Sequence, residues 1–221
     1  MRKLEVIDSF DCTPEEFWAN FFDPSFVARL DAELGFAGRE ELQFVEDDEK
    51  ILIRCRITPR RELPPHIQQM LQNGLKMLQQ VVQSNTNTAE MPESMRKMVE
   101  WGRSTFKDML SREKQGKDAP PPQVKLTYLE EAHFDRKEQL IRWTITPDIF
   151  KDVTSFKGTI QVEPTETGCR RIISGDMHLG IPGAGEKIEQ FLVDEISRNH
   201  SKAAELTRQA ILERRAAASA V

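Results

Sequence analysis

The sequence predicts an α+β domain with an antiparallel sheet, two short helices near its start and one long helix at its end. Three observations predict it. Runs of alternating apolar and polar residues occur as one segment, then two, then four. Two cap-plus-proline signals, Thr13-Pro14 and Asp23-Pro24, follow the first run. A single helical stripe, Ile188, Leu192, Ile196, Ala203, Leu206 and Ala210, runs through the last ~36 residues.

Each element has a local reason. Leu4 to Phe10 alternates and reads as a strand. Thr13 with Glu16 has the spacing of a capping box, and Pro14 occupies a first helical position. Asp23-Pro24 starts a second short helix, which Gly35 stops. Two strands, near Glu40–Glu46 and Lys50–Thr58, flank an acidic turn at Asp47-Asp48. In the second of them Ile51, Ile53, Cys55 and Ile57 share one face, and Lys50, Arg54 and Arg56 share the other. From Pro64 to about Pro122 the rhythm turns helical and rich in methionine, broken by the polar stretch SNTNTAE. Four further strands then follow: Gln123–Asp135, Gln139–Pro147, Asp152–Pro164 and Gly168–Gly180. This organisation reads as a single domain over residues 1–221 with a helical insertion at about 64–122.

The totals exclude several classes. With 38% hydrophobic and 30% charged residues the composition is that of a soluble globular chain. The net charge of -5 and the absence of a basic block argue against a nucleic-acid partner. No apolar run approaches ~18 residues, and the start carries no apolar core of signal-peptide length, so a cytoplasmic protein is expected. Cys12, Cys55 and Cys169 are odd in number and lack zinc spacing; neither a metal nor a cofactor is expected.

The turn GIPGAGEK, Gly180 to Lys187, invites a phosphate-loop reading. Gly180 and Gly185 have the right separation, but Glu186 precedes Lys187 and Ile188 replaces the Mg²⁺-binding hydroxyl. A helix that closes the chain also leaves no parallel βαβ unit. The turn therefore reads as the entry to a helix, with Glu186 complementing its dipole.

Two stretches carry a family resemblance: SFDCTPEEFWANFFDPSFVARL (Ser9–Leu30) and GIPGAGEKIEQFLVDEI (Gly180–Ile196). Together with the element order they resemble the START-like superfamily, also called the polyketide cyclase, birch-pollen-allergen or SRPBCC superfamily, in an uncharacterised bacterial branch. The resemblance implies a helix-grip fold, with a curved antiparallel sheet wrapped around a long C-terminal helix. It implies an apolar cavity between them, and with it the binding or transport of a hydrophobic small molecule or lipid. Other members are polyketide cyclases or aromatases, and others act as protein-interaction modules.

Alternation places Ile53, Cys55, Leu126, Tyr128, Trp143, Phe156, Ile160 and Met177 on the wall of such a cavity, and the helical stripe adds Leu192 and Ile196. Arg142 then faces out. Among groups able to do chemistry, His133 faces away from Tyr128, and His66 and His200 lack a metal-ligand partner at helical spacing. His178 with Asp176 faces solvent if Met177 faces in; in the opposite register the two form an inward general-base pair. Glu130 lies on the apolar face of its strand, either to orient a polar ligand head or at the sheet rim, which is the preferred reading. The enzyme alternative would use Tyr128, Asp176 or His178. The insertion reads equally as a lid or a membrane- or partner-touching face, and as a hairpin packed into the core. No protein partner is indicated.

Overall fold

The computed structural model describes residues 1–59, 63–83, 96, 99–100, 127–148, 151, 154–181 and 184–219. Its elements are β1 (Arg2–Phe10), α1 (Pro14–Phe21), α2 (Pro24–Leu34), β2 (Phe36–Glu46), β3 (Lys50–Pro59), α3 (Pro65–Gln83), β4 (Tyr128–Asp135), β5 (Leu140–Pro147), β6 (Thr154–Thr165), β7 (Gly168–Leu179) and α4 (Gly185–Ser219). The seven strands form one antiparallel sheet in the order β1-β7-β6-β5-β4-β3-β2. The curved sheet holds α4 against its inner face, which is the helix-grip arrangement. Among the described residues no helix is long and apolar enough to cross a membrane.

Local chemistry sets the boundaries. The Thr13 hydroxyl accepts from the Glu16 amide at 3.2 Å, and the Glu16 carboxylate accepts from the Thr13 amide at 3.0 Å. These bonds satisfy donors that the helix start leaves free. Asp23 caps α2 by accepting from the amides of Ser25 and Phe26. Gly35 adopts φ 76°, a left-handed value that a side chain would resist, and turns the chain straight into β2. That is why β2 begins at Phe36 rather than near Glu40. At the β2–β3 turn, the Asp47 carboxylate accepts from the amides of Glu49 and Lys50.

The apolar interior has two clusters. One gathers around Phe10, Phe17, Trp18, Phe134 and Ile141 beneath α1; the other around Phe156, Met177, Ile181 and Ile188 at the start of α4. Trp143 packs against both. Its indole lies on the register pair Gly158 and Gly175, where an added Cβ would come within 2.5 and 2.7 Å of the ring. α3 joins the second cluster through Ile67 and Leu71, each 2% exposed. A Cβ on Gly74 would come within 2.7 Å of Ile181, so α3 sits close on the turn into α4. The rest of the insertion, the first residues of the strand expected from Gln123, and Leu126 lie largely or wholly outside the described residues.

The cysteines are scattered in sequence but not all in space. Cys12 and Cys169 are buried free thiols with sulfurs 3.7 Å apart. Burial, and then the neighbouring Cys169, push the Cys12 thiol up to about 12.

Candidate functional site

Besides the buried Asn20 and Glu189, two clusters of polar side chains interrupt the apolar interior among the described residues. On the β1–β7 side, Arg171 donates to the Asp8 carboxylate and, at 3.1 Å, to the His200 carbonyl. Its guanidinium also stands 5.5 Å from the centre of the Phe10 ring. Burial, and then Arg171 beside it, hold the His200 imidazole neutral, with its pKa pushed down to about 3. This group pins α4 to the sheet and pairs its charges within the protein, while Arg171 Nε is buried without a partner among the described residues.

The other group lies on β2, β3 and β4. Antiparallel register sets Arg39 opposite Ile57 and Ile57 opposite Tyr128. The adjacent inner-face row runs Glu41, Cys55, Glu130 and Ile145. Arg39 donates from Nε to Oδ2 of Asp31 on α2 at 2.8 Å. The other Asp31 oxygen, Oδ1, is buried and, among the described residues, without a partner. Tyr128 and Glu130 are closely surrounded by protein but keep part of their surface accessible. Among the described residues neither the Tyr128 hydroxyl nor the Glu130 carboxyl has a hydrogen-bond partner. Neither group is among the sealed, unpartnered polar atoms, so water or a ligand can reach both.

The electrostatics are coupled. Burial raises the Glu130 carboxyl above its ordinary value; Arg39 opposes this and Asp31 adds to it. Burial and then Glu130 raise the Tyr128 phenol, so it remains a neutral donor. Burial works against the charge on Arg39, but Glu130 and Asp31 outweigh it and keep the guanidinium charged. The arrangement can offer hydrogen bonds to a polar group at one end of an apolar space.

The register fixes the other candidates. Ile53, Trp143, Ile160, Leu192 and Ile196 are half-buried, whereas Cys55, Phe156 and Met177 are buried and back the wall. Glu130 is not at the rim: β4 is two strands in from the β2 edge, and its partners there are Cys55 and Ile145. Met177 is 0% exposed, which turns Asp176 and His178 to the outer face. Asp176 stands there between Lys3 and Lys157. The alternative register, with Asp176 and His178 inward, is not adopted. His178 instead approaches the Glu189 carboxylate at 3.3 Å, which also accepts from the Leu179 amide at 2.7 Å. Burial works to raise Glu189, but these neighbours and the chain-start amine outweigh it and lower its pKa. His133 is on the outer face beside Glu131, and Arg142 is paired with Glu138. His66 is exposed on α3, its ring 6.5 Å from that of Phe191.

Sequence reasoning missed Arg39 and Asp31. The available signal was Arg39 alternating with Glu41 on a face that should have been apolar. At the glycine-rich turn, Gly185 donates its amide to the Ile181 carbonyl at 2.8 Å, and Lys187 is exposed, as a helix entry requires. Two open surface depressions, of about 640 and 320 Å³, lie beside Cys12 and Arg215 and beside Trp18 and Phe22. Neither includes Tyr128, Glu130 or Trp143.

Comparison with known proteins bears on the fold. A family model described as "Protein of unknown function (DUF2505)" matches residues 107–211. No curated protein matches the chain. Among solved structures, the chain is similar to TTHA0849 from Thermus thermophilus, at 13% identity and a TM-score of 0.51 over 96% of this chain and 98% of that one. It is also similar to the Zhui aromatase/cyclase from Streptomyces sp. R1128, at 10% identity and a TM-score of 0.50 over 96% and 93%. At such identities the likeness is one of fold.

Proposed function

We propose that this protein, as a START-like domain, binds a hydrophobic small molecule or lipid between the inner face of the sheet and α4, without transforming it. One observation carries the reading. Inner-face side chains on both walls, among them Ile53, Trp143, Ile160, Leu192 and Ile196, keep accessible surface, while same-face neighbours such as Ile57, Ile173 and Met177 fall to 0%. An apolar space with a few polar groups at one end is the usual form of a small-molecule site.

The test uses an environment-sensitive apolar dye. Binding to the folded protein should enhance dye emission and quench tryptophan fluorescence, and Trp143→Phe should remove most of the quenching. Dye that binds only after partial unfolding would overturn the reading. Native mass spectrometry of the freshly purified protein offers a second view, through any co-purified hydrophobic molecule.

An aromatase/cyclase reading is favoured by Tyr128 and Glu130, which have no hydrogen-bond partner among the described residues. On that reading these two would move protons on a bound polyketide chain. Asp176 and His178 face away and take no part. Turnover of a poly-β-keto thioester that is lost in Tyr128→Phe would favour it over simple binding.

A further inference from the structure

The inner-face charges constrain what the polar end of such a ligand can be. Among the described residues Arg39 is the cation of the β2–β4 group, and its Nε is already engaged by Asp31. Glu130, Asp31 and the more exposed Glu41 are carboxyl groups on or beside the same inner-face rows. Among the described residues, a ligand anion placed before Tyr128 and Glu130 would meet more acid than base, in surroundings that screen charge less than bulk water does. It would also find the Arg39 Nε–H already donated to Asp31. A hydroxyl or ketone meets no such penalty. Tyr128 can donate to it, and the Glu130 carboxyl can accept from a hydroxyl or, when protonated, donate to a ketone. Trp143 is one diagonal step from Glu130, through the pairs Glu130–Ile145 and Ala132–Trp143, and offers a flat aromatic wall beside these groups.

Resting on the binding reading above, we propose that Tyr128 and Glu130 select a hydrophobic ligand whose polar end is an uncharged hydroxyl or ketone, and that the site discriminates against carboxylate-bearing ligands such as fatty-acid anions. The raised pKa of Glu130 agrees with this, because it reflects the cost of one more negative charge at that point.

The experiment compares four probes of one skeleton at neutral pH: naphthalene, 2-naphthol, 2-naphthoate and the cationic 2-(aminomethyl)naphthalene. Each displaces the apolar dye from the full-length protein. The expected order puts 2-naphthol roughly tenfold or more below 2-naphthoate in Kd, since an acceptor or donor left unpaired in the site costs that much. 2-Naphthol should also bind tighter than naphthalene and the amine. Glu130→Leu with Tyr128→Phe should bring 2-naphthol to the level of naphthalene while dye binding persists. Glu130→Gln, which keeps hydrogen bonding, should retain much of the 2-naphthol preference. Dye binding with 2-naphthoate or the amine equal to or tighter than 2-naphthol would overturn the head-group inference and leave the cavity reading intact. Dye binding with no measurable displacement by 2-naphthol would do the same. Absence of dye binding to the folded protein would overturn the cavity reading and this inference together.

Discussion

His200 should make the protein sensitive to mild acid. Its buried imidazole feels the charge of Arg171, whose guanidinium is held by Asp8 and by the His200 carbonyl. The folded-state pKa is about 3 against an ordinary value of 6.5. A base with a depressed pKa stabilises the folded state above its ordinary pKa, and that stability is lost as pH falls toward the depressed value. At about pH 5 the unfolded chain takes up a proton that the folded chain refuses. The gap of about 1.5 pH units at about 1.4 kcal/mol each predicts a loss of about 2 kcal/mol. Against a typical total of ~5–15 kcal/mol this is easily measured. Glu130 works in the opposite sense, since a raised carboxyl favours the folded state at low pH and loses that contribution as pH rises. Comparison with His200→Gln cancels the Glu130 effect, because both proteins retain it. Urea denaturation followed by circular dichroism at about pH 7.5 and about pH 5 should show the wild type losing ~2 kcal/mol more than His200→Gln. Equal losses in the two proteins would refute the idea that His200 is held neutral by burial and Arg171.

Three other perturbations probe the frame of the site. Gly175→Ala should cost about 1–3 kcal/mol and shift tryptophan emission, because its Cβ would come within 2.7 Å of the Trp143 indole; Gly158→Ala should cost more, because its Cβ meets the Ser174 carbonyl oxygen at 2.0 Å. Equal stability of both variants and the wild type would mean that Trp143 does not rest on the glycines. Arg171→Met should destabilise by about 3–5 kcal/mol by leaving Asp8 without its partner, and adding Asp8→Leu should recover much of that in a double-mutant cycle. Ile188→Ala should cost about 2–5 kcal/mol, since Ile188 is 2% exposed, whereas exposed Lys187→Ala should stay within about 0.5 kcal/mol. Calorimetric titration of ATP should find no site at the turn, and micromolar binding lost in Lys187→Ala would reinstate the phosphate loop.

Signals confined to neighbouring residues were legible in the sequence. The capping box at Thr13, the Asp23 cap, the stop at Gly35 and the stripe from Ile188 to Ala210 each depend on a few residues close in the chain. Period-two alternation likewise set the faces of β3 and β5, and so turned Trp143 inward and Arg142 outward. Alternation assigns a face but not a neighbour or a depth, and that is where the tertiary structure decided. Glu130 read as a rim residue because nothing local reveals that β3 and β2 continue the sheet beyond it. Arg39 reaches Asp31 only because a left-handed glycine folds β2 back along α2. Gly158 and Gly175 are ordinary strand glycines until register brings them under one indole. Asp8, Arg171 and His200 are separated by 163 and 29 residues, and their pairing exists only once β1, β7 and α4 are packed. The chain's own periodicity thus fixes its elements and their faces. The charge balance of the candidate site arises from contacts between elements distant in sequence, whose energies depend on burial that only the assembled sheet and helix create.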